Sequence, residues 1–147
     1  MNQVYGYTTD ESTYKNNQVT IQAGIPASSA GSNDASGTVR IHTDDFKMYN
    51  VNVKNTYGVG GQAIALSQYG SRVGIYACGL YGYQDTLLVN DGTQVYLQGY
   101  IEVNRLPFLV CTYLASSDYR VLPTSSSVRV DSRTLVGTQS GSKVRGG

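Results

Sequence analysis

From residue 18 to residue 103 the apolar residues recur with a period of two, in runs too short to be anything but strands. Val19-Thr20-Ile21, Val39-Arg40-Ile41, Val51-Asn52-Val53, Ile64-Ala65-Leu66, Val73-Gly74-Ile75 and Val95-Tyr96-Leu97 each place alternate residues on one face. Between them lie tight turn sequences such as Tyr57-Gly58-Val59-Gly60-Gly61 and Asn90-Asp91-Gly92, and the segment Ala27–Gly37 reads as a Ser/Gly/Asn loop. No window carries a 3.6-residue period. The composition agrees: 17 Gly and 13 Tyr with only 14% charged residues do not suit a helical bundle. Apolar runs stop at four or five residues, far short of the roughly 20 that a membrane span needs. A net charge of +1 gives no electrostatic basis for nucleic-acid binding.

The strands also repeat. Tyr49-Asn50-Val51-Asn52-Val53-Lys54, Tyr76-Ala77-Cys78-Gly79-Leu80-Tyr81 and Tyr96-Leu97-Gln98-Gly99-Tyr100-Ile101 are variations on one pattern. Val53 and Leu80 are 27 residues apart, and Leu80 and Ile101 are 21 apart. Such spacing suits a solenoid whose coils bury their inward residues by stacking on neighbours. A β-sandwich, which also places strands every 8–12 residues, is the rival on pattern alone.

The charge balance hides a seam. Residues 1–103 carry five Lys/Arg against eight Asp/Glu, a net of −3, and residues 104–147 carry six against two, a net of +4. Eleven of the 13 Tyr lie before the seam. Residues 124–147 are Ser-, Arg- and Gly-rich with weak apolar content, and the tail 104–147 is expected to be poorly ordered. Two cysteines, Cys78 and Cys111, make no disulfide framework and show no metal-ligand spacing, so no metal is expected; Cys78 reads as a small buried thiol. His42 is the only histidine, and nothing near it suggests a nucleophile–base pair. The first residues show neither the basic nor the apolar region of a signal peptide.

Three ordered blocks carry a family resemblance. Phe46-Lys47-Met48-Tyr49-Asn50-Val51-Asn52-Val53-Lys54-Asn55-Thr56-Tyr57-Gly58 is a strand ending in an Asn-Thr turn, and Gly61-Gln62-Ala63-Ile64-Ala65-Leu66 follows it. The third is Gly82-Tyr83-Gln84-Asp85-Thr86-Leu87, preceded by Tyr76–Tyr81. Together they resemble the pectin methylesterases, the microbial and fungal branch more than the plant one, over about two-thirds of the chain. The resemblance implies an all-β fold, a right-handed parallel β-helix, here a partial solenoid truncated at both ends over residues 1–103. It also implies hydrolysis of the methyl esters of polygalacturonate, outside the cell, by two carboxylates and without metal or organic cofactor. By the same resemblance Gln62 and Gln84 are the oxyanion donors and Asp85 is the general acid/base, which needs a raised pKa to hold its proton. Tyr81 and Tyr83 flank these residues as candidates for stacking on sugar rings. Taken apart from the resemblance, Gln62 and Gln84 could equally be members of a coil-to-coil amide ladder, and Asp85 a turn residue.

The family's next motif, G-x-[VT]-D-F with the nucleophilic Asp, is missing. The chain reads Glu102-Val103-Asn104-Arg105-Leu106-Pro107-Phe108 instead, and no Asp occurs between Glu102 and Asp118. No G-R-P-W motif follows. Codon degeneracy allows Val103–Pro107 to be read one nucleotide later as Ser-Thr-Asp-Phe, so a shifted frame or retained intron accounts for the break; true divergence is the alternative. Glu102 precedes the expected motif and is a poor substitute nucleophile. The open coil ends of a partial solenoid would favour self-association.

Overall fold

The computed structural model describes residues 2–103, 119–124 and 127–139, with side chains for residues 2–102. Ten strands wind into four stacked coils. The first coil holds β1 (Asn2–Tyr5), β2 (Val19–Ala23) and β3 (Val39–Ile41), and the second holds β4 (Phe46–Tyr49), β5 (Val51–Asn55) and β6 (Leu66–Gln68). The third comprises β7 (Val73–Tyr76), β8 (Gly79–Tyr81) and β9 (Leu87–Val89), and the long β10 (Gly92–Val103) opens the fourth. Every pairing between coils is parallel. One face runs β1-β4-β7-β10, a second runs β2-β5-β8-β10, and a third runs β3-β6-β9. This is a parallel β-helix, and the antiparallel sandwich is ruled out. Among the described residues no helix is long and apolar enough to cross a membrane.

The 27- and 21-residue spacings are the coil repeat, because Val53 pairs with Leu80 and Leu80 with Ile101. Their side chains fill the interior with Met48, Val51, Leu66, Ile75 and Leu87, all buried. Each such aliphatic contributes roughly 1.5–3 kcal/mol by leaving water. The repeat read from Tyr96 is displaced by one residue: Tyr76 pairs with Leu97, and Tyr96 pairs with Ile75. A slip of one exchanges the two faces of a strand. Tyr96 and Gln94 therefore point inward, 4% and 1% exposed, while Val95 and Leu97 point out and are half-buried.

The corner between the first two faces is a single left-handed residue, Asn50, Ala77 or Gln98, with φ of 54°, 50° and 53°. Such a conformation costs about 1–2 kcal/mol without glycine. It is held because backbone bonds continue through it, from Asn50 N to Tyr76 O at 3.0 Å and from Ala77 N to Leu97 O at 2.8 Å. Asn50 Nδ2 also donates to Asn17 Oδ1 at 3.2 Å, and Asn17 Nδ2 donates to Ala77 O at 2.9 Å. Residues 6–18, inserted at this corner of the first coil, thus lie across the coils above, and Tyr14 stacks on Tyr100 with ring centres 5.0 Å apart. Outside the first face Tyr5, Tyr49 and Tyr76 form an in-register stack, at 4.7 and 4.8 Å.

The segment Ala27–Gly37 is not the plain loop its composition suggests. It holds a one-turn helix α1 (Ala27–Ala30), ended by Gly31 at φ 88°, and a 3-10 turn over Asp34–Ser36. Helical turns this short leave no 3.6-residue signature to read. Beyond the seam, β11 (Tyr119–Thr124) pairs antiparallel with β12 (Ser127–Gln139), and β12 runs antiparallel along β10. Residues 104–118, where the family's next motif is expected, lie outside the described residues.

Candidate active site

The turn between the second and third faces differs in every coil: residues 24–38, then 56–65, then 82–86. Asn55, at the end of β5, is 3% exposed and organises it. Its Nδ2 donates to Ile25 O at 3.1 Å, Ser36 O at 3.1 Å and Ile64 O at 3.0 Å, and its Oδ1 accepts from Tyr57 N at 3.1 Å. The third coil must turn within five residues. Gly82 makes this possible, since a Cβ there would lie 2.6 Å from Thr86 Oγ1, which itself donates to Glu102 O at 2.6 Å. Asp85 completes the turn with φ 59°, a left-handed conformation uncommon outside glycine and concentrated at functional sites.

Gln62 and Gln84 sit on consecutive coils of this turn. Their carbonyls join the backbone ladder, Gln62 O accepting from Ala27 N at 2.8 Å and Gln84 O from Ala63 N at 3.2 Å. Among the described residues no amide-to-amide bond joins their side chains. Gln84 is half-buried and its amide makes no hydrogen bond among the described residues; Gln62 is exposed and reaches toward Asp85. Asp85 is 2% exposed, and neither carboxylate oxygen has a hydrogen bond of ordinary geometry. Burial pushes its carboxyl above the usual range, and the nearby Gln62 amide opposes this only in part. A buried carboxylic acid with an amide donor beside it can deliver a proton and stabilise a developing oxyanion.

Adjoining this turn is a cavity of about 290 Å³, lined by Lys54, Thr56, Tyr81, Tyr83 and Glu102 together with Gly58 and Gly82. Tyr81 and Tyr83 thus face one space, whereas Gln62, Gln84 and Asp85 lie beside it. Tyr81 lies flat along its strand because Gly79 has no side chain; a Cβ there would come within 2.6 Å of the Tyr81 ring and hydroxyl. Burial, with the neighbouring Tyr14, Tyr100 and Glu102, pushes the Tyr81 hydroxyl up to about 12, so it stays a neutral donor. Sequence reasoning missed Lys54 and weighed Glu102 only as a substitute nucleophile, although Lys54, Tyr81 and Glu102 form one outward row.

His42 lies elsewhere, on the third face, with Nε2 at 2.9 Å from Asp34 Oδ1. Cys78 is buried, 1% exposed, and burial raises its thiol to about 11, as befits an inert core residue. Among the described residues no group of three or more His, Cys, Asp or Glu side chains could hold a metal.

Comparison with known proteins fits this geometry. The family model named Pectinesterase matches residues 15–108. The chain is 52% identical over 99 residues to the probable pectinesterase A of Neosartorya fischeri, covering 67% of this chain and 31% of that protein. It is 38% identical over 138 residues to a pectinesterase of Aspergillus niger, covering 89% of this chain and 41% of that one, a match that necessarily runs past residue 103. The crystal structure of the pectin methylesterase from Aspergillus niger in deglycosylated form superposes with a TM-score of 0.67 at 52% identity, covering 67% of this chain and 33% of that chain. The chain thus spans about a third of the length of the relatives it matches over 99 residues. With 94 residues under the family model, and its parallel coils matched by a solved relative, the chain belongs to the pectinesterase family.

Proposed function

We propose that this chain carries the acid/base and oxyanion half of a site that hydrolyses methyl esters of polygalacturonate to pectate and methanol. The observation that carries the reading is Asp85, a buried carboxyl in a left-handed turn, held toward its protonated form next to Gln62. In the full reaction a second carboxylate attacks the ester carbonyl while Gln62 and Gln84 donate to the oxygen that gains charge. Asp85 gives its proton to the methoxy oxygen as methanol leaves. It then takes a proton from the water that splits the acyl-enzyme, which frees the acid and the nucleophile.

The nucleophile is the missing part, since no Asp stands between Glu102 and Asp118. The chain as written is therefore expected to turn over little or no pectin, because losing one member of a catalytic unit removes most of its rate. An aromatic-walled cavity supports a second reading, polygalacturonate binding without turnover. Action outside the cell belongs to the same proposal. Methanol release from methylated pectin tests it, comparing this chain with one restored to Ser-Thr-Asp-Phe and a family C-terminus. The restored chain should be active and this one nearly silent. Equal turnover would place the nucleophile elsewhere, and genomic sequence across codons 100–112 would tell a shifted frame from divergence.

A further inference from the structure

The outer side of the first face carries a three-ring stack that neither the ester chemistry nor the core uses. Tyr5 stands opposite Tyr49 in the strand register, and Tyr49 opposite Tyr76. Ring centres 4.7 and 4.8 Å apart match the spacing of the strands beneath, and planes tilted by 5° and 13° set each ring face to face with the next. Tyr5 and Tyr76 both run back along their strands. Tyr5 Oη donates to Gln3 Oε1, and a Cβ on Gly74 would come within 2.5 Å of the Tyr76 hydroxyl. Tyr49, stacked between them, is carried in the same register, which brings the carbons beside the phenol oxygens of neighbouring rings across from one another.

Exposure singles out one pair. Tyr5 is 66% exposed and lies against the half-buried Tyr49. Tyr7 is 70% exposed, but among the described residues no tyrosine stacks on it. The softer targets of oxidation are shielded, since Met48 and Cys78 are buried, and the chain has no Trp.

We propose that Tyr5 and Tyr49 form a site of oxidative cross-linking by a haem peroxidase with hydrogen peroxide, joined as a dityrosine that staples the first coil to the second. Each phenol gives up one electron and one proton, and these reduce one hydrogen peroxide to two waters. The two phenoxyl radicals then join through the ring carbon beside each oxygen. The hydrogens on those carbons shift to the oxygens and restore both phenols, so one carbon–carbon bond is made and the chain is two hydrogens lighter. The bond closes the chain between residues 5 and 49 and restricts the unfolded state, as a disulfide does. The first coil gains most, because β1, β2 and β3 are each the last strand of their face. This chemistry is independent of the pectin reading.

The test treats the folded full chain, at high dilution, with a haem peroxidase and limiting hydrogen peroxide, and reads the products by mass spectrometry. The monomer should become two hydrogens lighter, and digestion should give one pair of peptides joined through Tyr5 and Tyr49. Tyr5→Phe, which keeps the ring and lacks the phenol, should lose this product, whereas Tyr7→Phe should keep it. Unfolding in urea before oxidation should lower its yield about tenfold, because the stack then no longer supplies proximity. In the cross-linked chain the amides of residues 2–5 should exchange with solvent more slowly. An unchanged monomer mass, a link mapped to other tyrosines, or equal yield in Tyr5→Phe or in urea would overturn the site. Unchanged exchange in residues 2–5 would overturn the staple.

Discussion

Two of the three corners of the coil differ sharply. Between the first and second faces Asn50, Ala77 and Gln98 repeat the same left-handed bend in register. Between the second and third faces the chain takes fifteen, ten and then five residues, and no two turns are alike. The first corner has backbone bonds running straight through it, so it fixes the register of everything stacked above. The second also carries backbone bonds between coils, such as those to Gln62 O and Gln84 O, but its length changes with every coil, and it is there that Gln62, Gln84 and Asp85 collect. Both corners hold a non-glycine residue near φ 55°, but Ala77 is one rung of a repeated ladder and Asp85 has no counterpart in the coil below. Strain that repeats belongs to the scaffold, whereas strain that occurs once points to a candidate site.

The sharpest way to break this contrast is at Ala77, which is 1% exposed. Ala77→Val puts a β-branched side chain into a left-handed, close-packed position and should cost about 2–4 kcal/mol in urea unfolding. Ala77→Gly should stay within about 1 kcal/mol of wild type, relief of strain offsetting the lost methyl.

Next comes the long turn of the first coil, pinned by Asp34. Its carboxylate accepts from Ser67 Oγ at 2.6 Å and from His42 Nε2 at 2.9 Å, and it pairs with Arg40. Burial would raise its pKa, but these three partners hold it well below 3.8. The folded value lies below the unfolded one, so the stabilisation is full above pH 3.8 and fades as pH falls below it. Asp34→Ala should cost about 1–3 kcal/mol at pH 7, and the difference should shrink in acid.

Asp85 should behave in the opposite sense. Its folded pKa lies above the ordinary 3.8, so its contribution is complete below that value and is lost as pH rises through the folded pKa. Asp85→Asn, which also tolerates the left-handed backbone, should therefore stabilise the chain at pH 7 by about 0.5–2 kcal/mol. The gain should vanish below pH 3.8, and the same change should abolish turnover in the restored enzyme. A destabilised Asp85→Asn at neutral pH would make Asp85 another scaffold residue. The smallest effect on stability belongs to Gln62→Ala, exposed and engaged only toward Asp85, expected within about 0.5 kcal/mol. In the restored enzyme the same change should slow turnover about 10²–10³-fold.

These contrasts also explain what could be read from the sequence. Period two and the spacing of Val53, Leu80 and Ile101 exposed the coils, because an inward residue in a stacked ladder has little choice but to be apolar. Tyr96 misled for the same reason: Val95 and Leu97 look like core, yet parallel register with Val73 and Ile75 turns Gln94 and Tyr96 inward. Alternation fixes a period and not its phase. Gln62, Gln84 and Asp85 could be named only by resemblance, since neither a left-handed turn nor burial is written in the composition of Gly82–Thr86. Lys54 stayed hidden, and Glu102 drew notice only as a substitute nucleophile, because the two meet only through Tyr81, across two coil boundaries.

The stack of Tyr5, Tyr49 and Tyr76 has an optical consequence. Three phenol rings held at 4.7 and 4.8 Å and tilted by only 5° and 13° should couple their transition dipoles, which gives a near-ultraviolet circular-dichroism signal that separate rings lack. The chain has no Trp to mask or drain tyrosine emission. Each ring comes from a different coil, so undocking of the first coil would remove one coupling and leave the other. The molecule thus carries its own label-free gauge of how many coils remain stacked.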